Sequence, residues 1–235
     1  MRIDVLTIFP EMFPPVLGSS ILNRAIAKGV VKVHVHNLRE WSRDKHKKVD
    51  DRPYGGGPGM VMRPEPFFEA VEDLARQKAE GRGQRAEKPH VVLLCPQGKR
   101  LDQEGVERLA KRSWLILLCG HYEGVDERVR GTLADEEISI GDYVLTCGEL
   151  PAMVLIDSVV RLIPGSLGDE LSAMEESFSD NLLEYPQFTR PAEYRGLKVP
   201  DVLLSGDSPR IQEWRTLQAL RKTSLKRPDL THGPR

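Results

Sequence analysis

The alternation of apolar and polar positions predicts that the chain opens with a β-α-β unit. Residues 3–9 form an apolar run that is typical of a strand. Residues 20–28 carry their apolar side chains at helical spacing, and Gly29 follows as a helix stop. Residues 31–36 alternate valine with lysine or histidine, which indicates a half-buried strand.

Two nearly unbroken apolar runs, residues 90–95 and 114–119, predict strands of a second kind. Strands that are apolar on both faces are typical of a parallel sheet covered by helices on both sides. Further elements are predicted around them: helices at 66–78, 102–111 (with Asp102 as the N-cap), 125–133 and 149–162, and a short strand at 137–140. The predicted fold class is therefore α/β, with a parallel sheet between helices.

A change of pattern predicts a second, smaller domain. Residues 163–174 are rich in proline, glycine and serine and show little periodicity, which favours a linker. We predict a first domain at 1–162, a flexible linker at 163–175 and a small helical domain at 176–235. The best helix of the small domain is expected at 209–225, and its apolar face is expected to contain Ile211, Trp214, Leu217 and Leu220.

Composition excludes several classes of protein. Of the 235 residues, 40% are hydrophobic and 29% are charged, as in soluble globular proteins. No apolar run approaches the length of a membrane span, and the N-terminus lacks a signal-peptide pattern, so we expect a cytoplasmic protein without a membrane partner. The net charge is -1, but in residues 210–235 basic residues outnumber acidic ones by seven to two, which suits a phosphate-binding tail or a solvated helix face.

Three glycine- or proline-containing loops each follow a predicted strand, and we expect them to form one pocket. Their backbone groups and apolar side chains suit a neutral heterocycle such as adenine, although ordinary strand-end turns would leave the same pattern. The candidate pocket residues are Leu94, Cys95, Pro96, Gln97 and Gly98, then Gly120, Tyr122 and Glu123, then Ser139, Ile140, Gly141, Asp142, Tyr143, Val144, Leu145, Gly148 and Pro151.

Three cysteines, Cys95, Cys119 and Cys147, also fall in these loops. Their wide spacing disfavours a disulfide framework. A three-cysteine metal site is disfavoured as well, because structural zinc sites use close ligand pairs. We expect small, reduced cysteines and no protein metal site.

Within the irregular segment 39–63, the consecutive residues 55–59 read Gly-Gly-Gly-Pro-Gly. The segment lacks the lysine and the preceding strand of a P-loop. It is interpreted either as a hinge or as a backbone-lined surface for a planar or anionic group. Arg161 before the linker, and Glu175, Glu176 and Asp180 after it, are either surface charges or a base completed on substrate binding.

The chain resembles the bacterial tRNA (guanine-N1)-methyltransferase (TrmD) family of the SPOUT superfamily over essentially its whole length. The resemblance rests on long motifs in a fixed order: I-F-P-E-M-F (8–13), V-D-D-R-P-Y-G-G-G-P-G-M (49–60), C-G-H-Y-E-G-V-D-E-R-V (119–129), I-G-D-Y-V-L-T-C-G-E-L-P-A (140–152), L-L-E-Y-P-Q-F-T-R-P (182–191) and D-V-L-L-S-G (201–206).

This resemblance implies a deep trefoil knot in the α/β domain, which the periodicity does not indicate. It implies S-adenosylmethionine in the three-loop pocket, and methylation of N1 of the guanosine at tRNA position 37. It also implies a homodimer with active sites built from both chains, in which the small domain of one subunit holds the anticodon stem-loop near the cofactor of the other. Activity in the family is associated with Mg²⁺.

The resemblance also implies residue roles. Glu176 would be the general base for N1, and Arg161 would stabilise negative charge on the guanine O6. The expected tRNA-binding residues are Asp50, Tyr54, Gly55, Gly56, Gly57, Pro58, Gly59, Arg190, Arg215, Arg221 and Lys222. The chain departs from the family pattern at Glu176, where aspartate is usual, and at Cys147, where glycine is usual. Glu175 and Asp180 therefore remain rival bases.

Two other functions fit parts of the pattern. A ribose 2′-O-methyltransferase of the same superfamily would share the pocket but would not need the 49–60 segment. A non-catalytic RNA-binding module would need only the basic surfaces.

Overall fold

The computed structural model describes residues 1–80, 88–167, 176–178 and 181–231. The chain divides into two compact units, Met1–Gly168 and Asp169–Arg235. The predicted linker at 163–175 spans this division, and its first residues pack on the first unit. There Ser166 is buried, and Ile163 lies against the hydrophobic core.

The first unit is built on a parallel sheet. Its strands, with one short antiparallel pair outside the sheet, are β1 (Arg2–Thr7), β2 (Lys32–Asn37), β3 (Asp50–Asp51), β4 (Val61–Met62), β5 (His90–Arg100), β6 (Trp114–Cys119) and β7 (Glu136–Ser139). The five-stranded sheet has the order β2-β1-β6-β5-β7, and every neighbouring pair is parallel. β3 and β4 pair with each other.

The helices of this unit are α1 (Pro14–Leu17), α2 (Ser20–Ala27), α3 (Pro64–Glu80), α4 (Gln103–Ala110) and α5 (Glu149–Val160). Short 3₁₀ turns lie at Pro10–Met12 and Leu38–Trp41, and a π-helical turn lies at Val129–Leu133. Asp102 caps α4 as predicted, because its side chain accepts a hydrogen bond from Gly105 N at 2.8 Å. No helix in the described ranges is long and apolar enough to cross a bilayer.

The core has two layers, one on each face of the sheet. Because side chains alternate along a strand, Leu115 and Leu117 of β6 pack in the layer that contains α2, α4 and α5. Ile116 and Leu118 pack in the layer that contains Phe67 and other residues of α3. This arrangement confirms the predicted α/β class with a parallel sheet and helices.

Two predicted elements differ in extent. The strand predicted at 90–95 continues through Pro96 and Gly98 to Arg100, because its far end regains pairing with β7 after a break in register. The helix predicted at 125–133 is shorter: residues 127–133 are helical and end in the π-helical turn Val129–Leu133, while Val125 forms an isolated bridge with Met62.

A buried carboxylate in β1 contacts side chains of both strands that pair with β1, which are β2 and β6. Asp4 is fully buried and accepts hydrogen bonds from Arg2 Nε at 2.6 Å and Trp114 Nε1 at 2.7 Å, and His36 Nε2 lies 2.7 Å from its Oδ1. Burial opposes ionisation of Asp4, but the hydrogen bonds from His36, Arg2 and Trp114 outweigh it and hold the pKa of Asp4 below the ordinary 3.8.

The second unit contains a hairpin of β8 (Glu193–Tyr194) and β9 (Leu197–Lys198), the short helix α6 (Asp201–Leu204), the long helix α7 (Ser208–Lys226) and a 3₁₀ turn at Pro228–Leu230. The predicted apolar face of α7 is wrong at two positions: Leu217 is 62% exposed and Leu220 is 48% exposed. The buried positions of α7 are Ala219 and Thr223. Thr223 faces the preceding segment, where its Oγ1 accepts a hydrogen bond from Leu183 N at 2.8 Å.

Candidate functional site

The break in register of β5 and the carboxyl ends of β6 and β7 meet at a cavity of about 250 Å³. Ligands bind in this position in open α/β sheets, because the loops that follow parallel strands converge there. The cavity volume lies just below the roughly 300–1,000 Å³ of typical small-molecule sites. The three loops predicted from the sequence all contribute to its wall.

Most of the candidate pocket residues line this cavity. They are Leu94, Cys95, Pro96, Gln97, Gly120, Tyr122, Glu123, Ser139, Ile140, Gly141, Tyr143, Val144, Leu145, Gly148 and Pro151. Two candidates do not. A Cβ on Gly98 would overlap the backbone of Glu137 and Ile138, so this glycine serves the β5–β7 contact. The Asp142 side chain is 90% exposed and lies 4.0 Å from Arg100 Nη1.

Eight further residues line the cavity. His121, Gly124, Thr146 and Cys147 lie within the three predicted loops but were not among the candidate residues, whereas Leu93, Val125, Arg130 and Ile138 lie outside those loops and were missed. His121 stands in the quoted motif at 119–129 and could have been included. Its ring lies 5.1 Å from the Phe9 ring and 5.0 Å from the Tyr122 ring. No local pattern marks Arg130, which reaches the cavity from the π-helical turn.

The third loop packs tightly against the second. Gly148 N donates to Gly120 O at 2.8 Å, and a Cβ on Gly148 would stand 2.8 Å from Cys119 Cα. Only a residue without a side chain fits this approach. The neighbouring Cys147 is half-buried and is not among the residues with a positive φ, so cysteine needs no left-handed backbone there.

Glu149, in the first turn of α5, is fully buried behind this loop. Its Oε1 accepts a hydrogen bond from Thr7 Oγ1 at 2.5 Å, and Thr7 Oγ1 accepts one from Phe9 N at 2.9 Å. Its Oε2 is buried without a hydrogen-bond partner among the residues that the structure describes. The helix N-terminus favours a negative charge at this position.

The glycine-rich segment lies beside the pocket. Met62 N donates to Gly124 O at 2.9 Å, and Glu123 N donates to Met60 O at 3.0 Å, so β4 is fixed to the second loop. Any side chain on Gly59 would overlap the side chain of Glu123. The segment from Asp50 in β3 to Gly59 therefore ends at the pocket rim.

Within that segment, three successive glycines, Gly55, Gly56 and Gly57, all have positive φ, with open space around each. Tyr54 before them is fully exposed, and Pro58 follows them. The segment thus presents an accessible backbone beside the cavity.

The two predicted catalytic residues belong to different units. Arg161 is half-buried at the C-cap of α5 in the first unit. Glu176 is half-buried in the second unit. The rival bases Glu175 and Asp180 lie outside the described residues.

The predicted tRNA-binding side chains of the second unit have different surroundings. Arg190 and Arg221 are exposed. The Arg215 guanidinium lies 4.7 Å from the centroid of the Tyr185 ring, and Lys222 Nζ donates to the Glu184 carbonyl at 2.9 Å. Arg215 and Lys222 therefore also hold α7 to the segment before it.

The three cysteines are free thiols. Burial raises the pKa of Cys119 well above the ordinary 9.0, and burial together with a hydrogen bond to Glu137 raises the pKa of Cys95. In the part of the chain that the structure describes, no three His, Cys, Asp or Glu side chains form a group able to hold a metal ion.

Comparison with known proteins identifies the family. A family model described as tRNA (Guanine-1)-methyltransferase TrmD matches residues 1–233. The chain belongs to this family. The match confirms the resemblance carried by the sequence motifs. Both the pocket and the adjoining glycine-rich segment lie within the residues that match the TrmD model.

Several relatives in the TrmD family match nearly the whole chain. The tRNA (guanine-N(1)-)-methyltransferase of Bacillus subtilis is 57% identical over 230 residues, which cover 98% of this chain and 92% of that protein. The protein of the same name from Halalkalibacterium halodurans is 58% identical over 233 residues, covering 99% and 92%. That of Geobacillus kaustophilus is 57% identical over 230 residues, covering 98% and 91%.

Proposed function

We propose that this protein transfers a methyl group from S-adenosylmethionine to N1 of the guanosine at tRNA position 37, giving 1-methylguanosine. The observation that carries the proposal is the TrmD family match over residues 1–233. Full-length relatives with the corresponding enzyme name, at 57% and 58% identity, support it further. The product next to the anticodon would help to maintain the reading frame.

The chemistry of the pocket fits the proposed methyl donor. Its wall consists mainly of backbone and apolar side chains from the three loops, which suits the adenine of S-adenosylmethionine. Glu123 and Arg130 are the carboxylate and the guanidinium among its lining side chains. When bound, the donor supplies an electrophilic methyl group on its sulfonium.

The proposed roles of the chain's own residues follow from the chemistry of guanine. N1 carries a proton at neutral pH and attacks only after losing it, so a general base is required. We assign this role to Glu176. Arg161 would stabilise the negative charge that develops on O6. Asp50 and the segment from Tyr54 to Gly59 would hold the target base and its neighbour, since that segment ends at the pocket rim.

The remaining tRNA contacts are proposed for the second unit. Arg190, Arg215, Arg221 and Lys222 would contact backbone phosphates of the anticodon stem-loop, and such contacts position the RNA without reading its sequence. The two that are exposed, Arg190 and Arg221, are accessible for this role.

Three further properties belong to the same proposal. The close passage of Gly148 against Cys119 and Gly120 supports a trefoil knot that threads the third loop past the second. Exposed apolar side chains of the first unit, among them Val144 at 82% and Val154 at 48%, support a homodimer. Dependence of the activity on Mg²⁺ is proposed from the family alone.

The test is incubation of the purified protein with S-adenosylmethionine and undermodified tRNA, followed by mass spectrometry of the nucleosides. We expect 1-methylguanosine. Absence of methylation, or formation of 2′-O-methylguanosine instead, would contradict the proposal.

The same assay tests the proposed base. Glu176→Gln should lower the rate by at least about 100-fold, as expected for loss of a general base, while donor affinity stays near that of the wild type. Glu193→Gln is the matched control, because Glu193 is an exposed carboxylate of the same unit. Full activity of Glu176→Gln would refute the assigned role and direct attention to Asp180.

A further inference from the structure

The wall of the pocket contains a break in the β5–β7 ladder. Leu94 pairs with Ile138, and after residues 95–98 Lys99 pairs with Ile138 again. The intervening residues therefore bulge out of the ladder, and Pro96 among them has no N–H to contribute. Cys95, Pro96 and Gln97 of this bulge line the cavity. The bulge needs side-chain interactions to fix its conformation, because ladder hydrogen bonds do not.

Arg130 supplies such interactions. Its Nη1 donates to Gln97 Oε1 at 2.5 Å and to Glu137 Oε2 at 2.6 Å, and it lies 3.8 Å from Cys95 Sγ. The Cys95 thiol donates in turn to Glu137 Oε2 at 3.2 Å. One guanidinium nitrogen thus contacts both ends of the lining segment and the strand opposite to it.

The surroundings of this group make the contacts strong. The Arg130 side chain is 15% exposed and that of Glu137 is 29% exposed, so water screens the pair less than it screens surface pairs. Hydrogen bonds between charged partners are also roughly twice as strong as neutral ones. Arg128, two residues earlier, offers a contrast: its side chain is 67% exposed and pairs with Asp126 at the surface.

We infer that Arg130 is a positioning residue for the methyl-donor pocket, acting through Gln97, Cys95 and Glu137 to hold the β5 bulge in its binding conformation. The inference rests on the proposed function, because the pocket is taken to bind S-adenosylmethionine. Arg130 itself lines the cavity, but the role assigned here needs no direct contact with the donor.

The test compares Arg130→Gln, Arg130→Lys and the control Arg128→Gln in the full-length protein. Donor affinity is measured by calorimetry, and hydrogen exchange of the amides of residues 95–100 is measured without ligand. Arg130→Gln should weaken donor binding by about 10- to 100-fold, the scale set by losing a hydrogen bond to a charged group. It should also speed exchange in residues 95–100. Arg130→Lys should be intermediate, because it keeps a positively charged nitrogen donor but places it on a differently shaped side chain.

Arg128→Gln should leave both measurements unchanged. If Arg130→Gln binds the donor within about twofold of the wild type, the inference is overturned, even where its unfolding temperature has dropped. If Arg130→Gln does not fold, Glu137→Gln removes the opposite charge of the same pair and should weaken binding in the same direction; unchanged binding there overturns the inference too. Failure of the wild-type protein to bind S-adenosylmethionine would instead count against the proposed function.

Discussion

Asp4 and Glu149 are two fully buried carboxylates of the first unit, and they differ in how many hydrogen-bond partners they have. Asp4 has three side chains around it, including Arg2 and Trp114. Glu149 has Thr7 on one oxygen, and its other oxygen has no partner among the described residues. Asp4 and Thr7 project from opposite faces of β1, because side chains alternate along a strand.

This difference in hydrogen bonding indicates that Asp4 has a structural role and that Glu149 has a role at the pocket. A buried charge that is fully paired makes the structure sensitive to loss of either partner. A buried carboxylate with one partner gains less from its surroundings, and it lies behind the loop that lines the pocket. Asp4 is therefore expected to matter for stability, whereas Glu149 is expected to matter mainly for the position of α5 and Gly148.

The largest effect is expected from Asp4→Asn. The substitution leaves Arg2 and His36 beside a neutral group, so we expect a loss of about 3 kcal/mol in the free energy of unfolding. Urea denaturation followed by circular dichroism measures it. Asp142→Asn, at a position whose side chain is 90% exposed, should change stability by less than about 0.5 kcal/mol. Equal stabilities of the two variants would remove the contrast.

Acid should reproduce part of this loss in the wild-type protein. The pKa of Asp4 is held below 3.8 in the folded state, so the folded state binds its proton less readily than the unfolded chain does. The resulting stability is present above the unfolded pKa and is lost as pH falls through and below about 4. Urea midpoints at pH 7, 5, 4 and 3 should therefore decline more steeply for the wild type than for Asp4→Asn. Parallel declines would show that Asp4 is not responsible.

The smallest effect is expected from Glu149→Gln. The amide keeps an oxygen to accept from Thr7, so stability should change by less than about 1 kcal/mol. Thr7→Val removes the hydroxyl donor instead and should cost more, about 2 kcal/mol. Both values come from the same urea experiment. A loss for Glu149→Gln as large as that for Asp4→Asn would make the two carboxylates equivalent.

The strands of the sheet could be predicted because residues buried on both faces leave an unbroken apolar run, as in β6. The continuation of β5 beyond Cys95 could not, since Pro96 and Gly98 indicate a turn until the pairing with β7 is known. The face of α7 was misassigned for a related reason. Its buried side depends on Leu183, which contacts Thr223 from outside the helix.

The pocket could be predicted in outline, because each loop follows a strand and carries glycine or proline. Arg130 could not be found from the sequence. Arg130 contacts Gln97, which is far away in the chain, and Glu137, which lies beyond the intervening loop. Family resemblance supplied roles for Glu176 and Arg161 that periodicity alone did not indicate.

Because β5 belongs to both the core and the pocket wall, ligand binding is expected to affect the unfolding of the first unit. Residues 91–94 of the strand belong to the hydrophobic core, and the lining of the pocket begins within that part, at Leu93, and ends at Gln97. A molecule that fixes the lining residues must therefore oppose fraying of the core residues. Because binding to the folded state alone adds RT ln(1 + [L]/Kd), a ligand at 100 times its Kd contributes about 2.7 kcal/mol. Occupancy of the pocket should thus be readable as a rise in the melting temperature of the whole first unit.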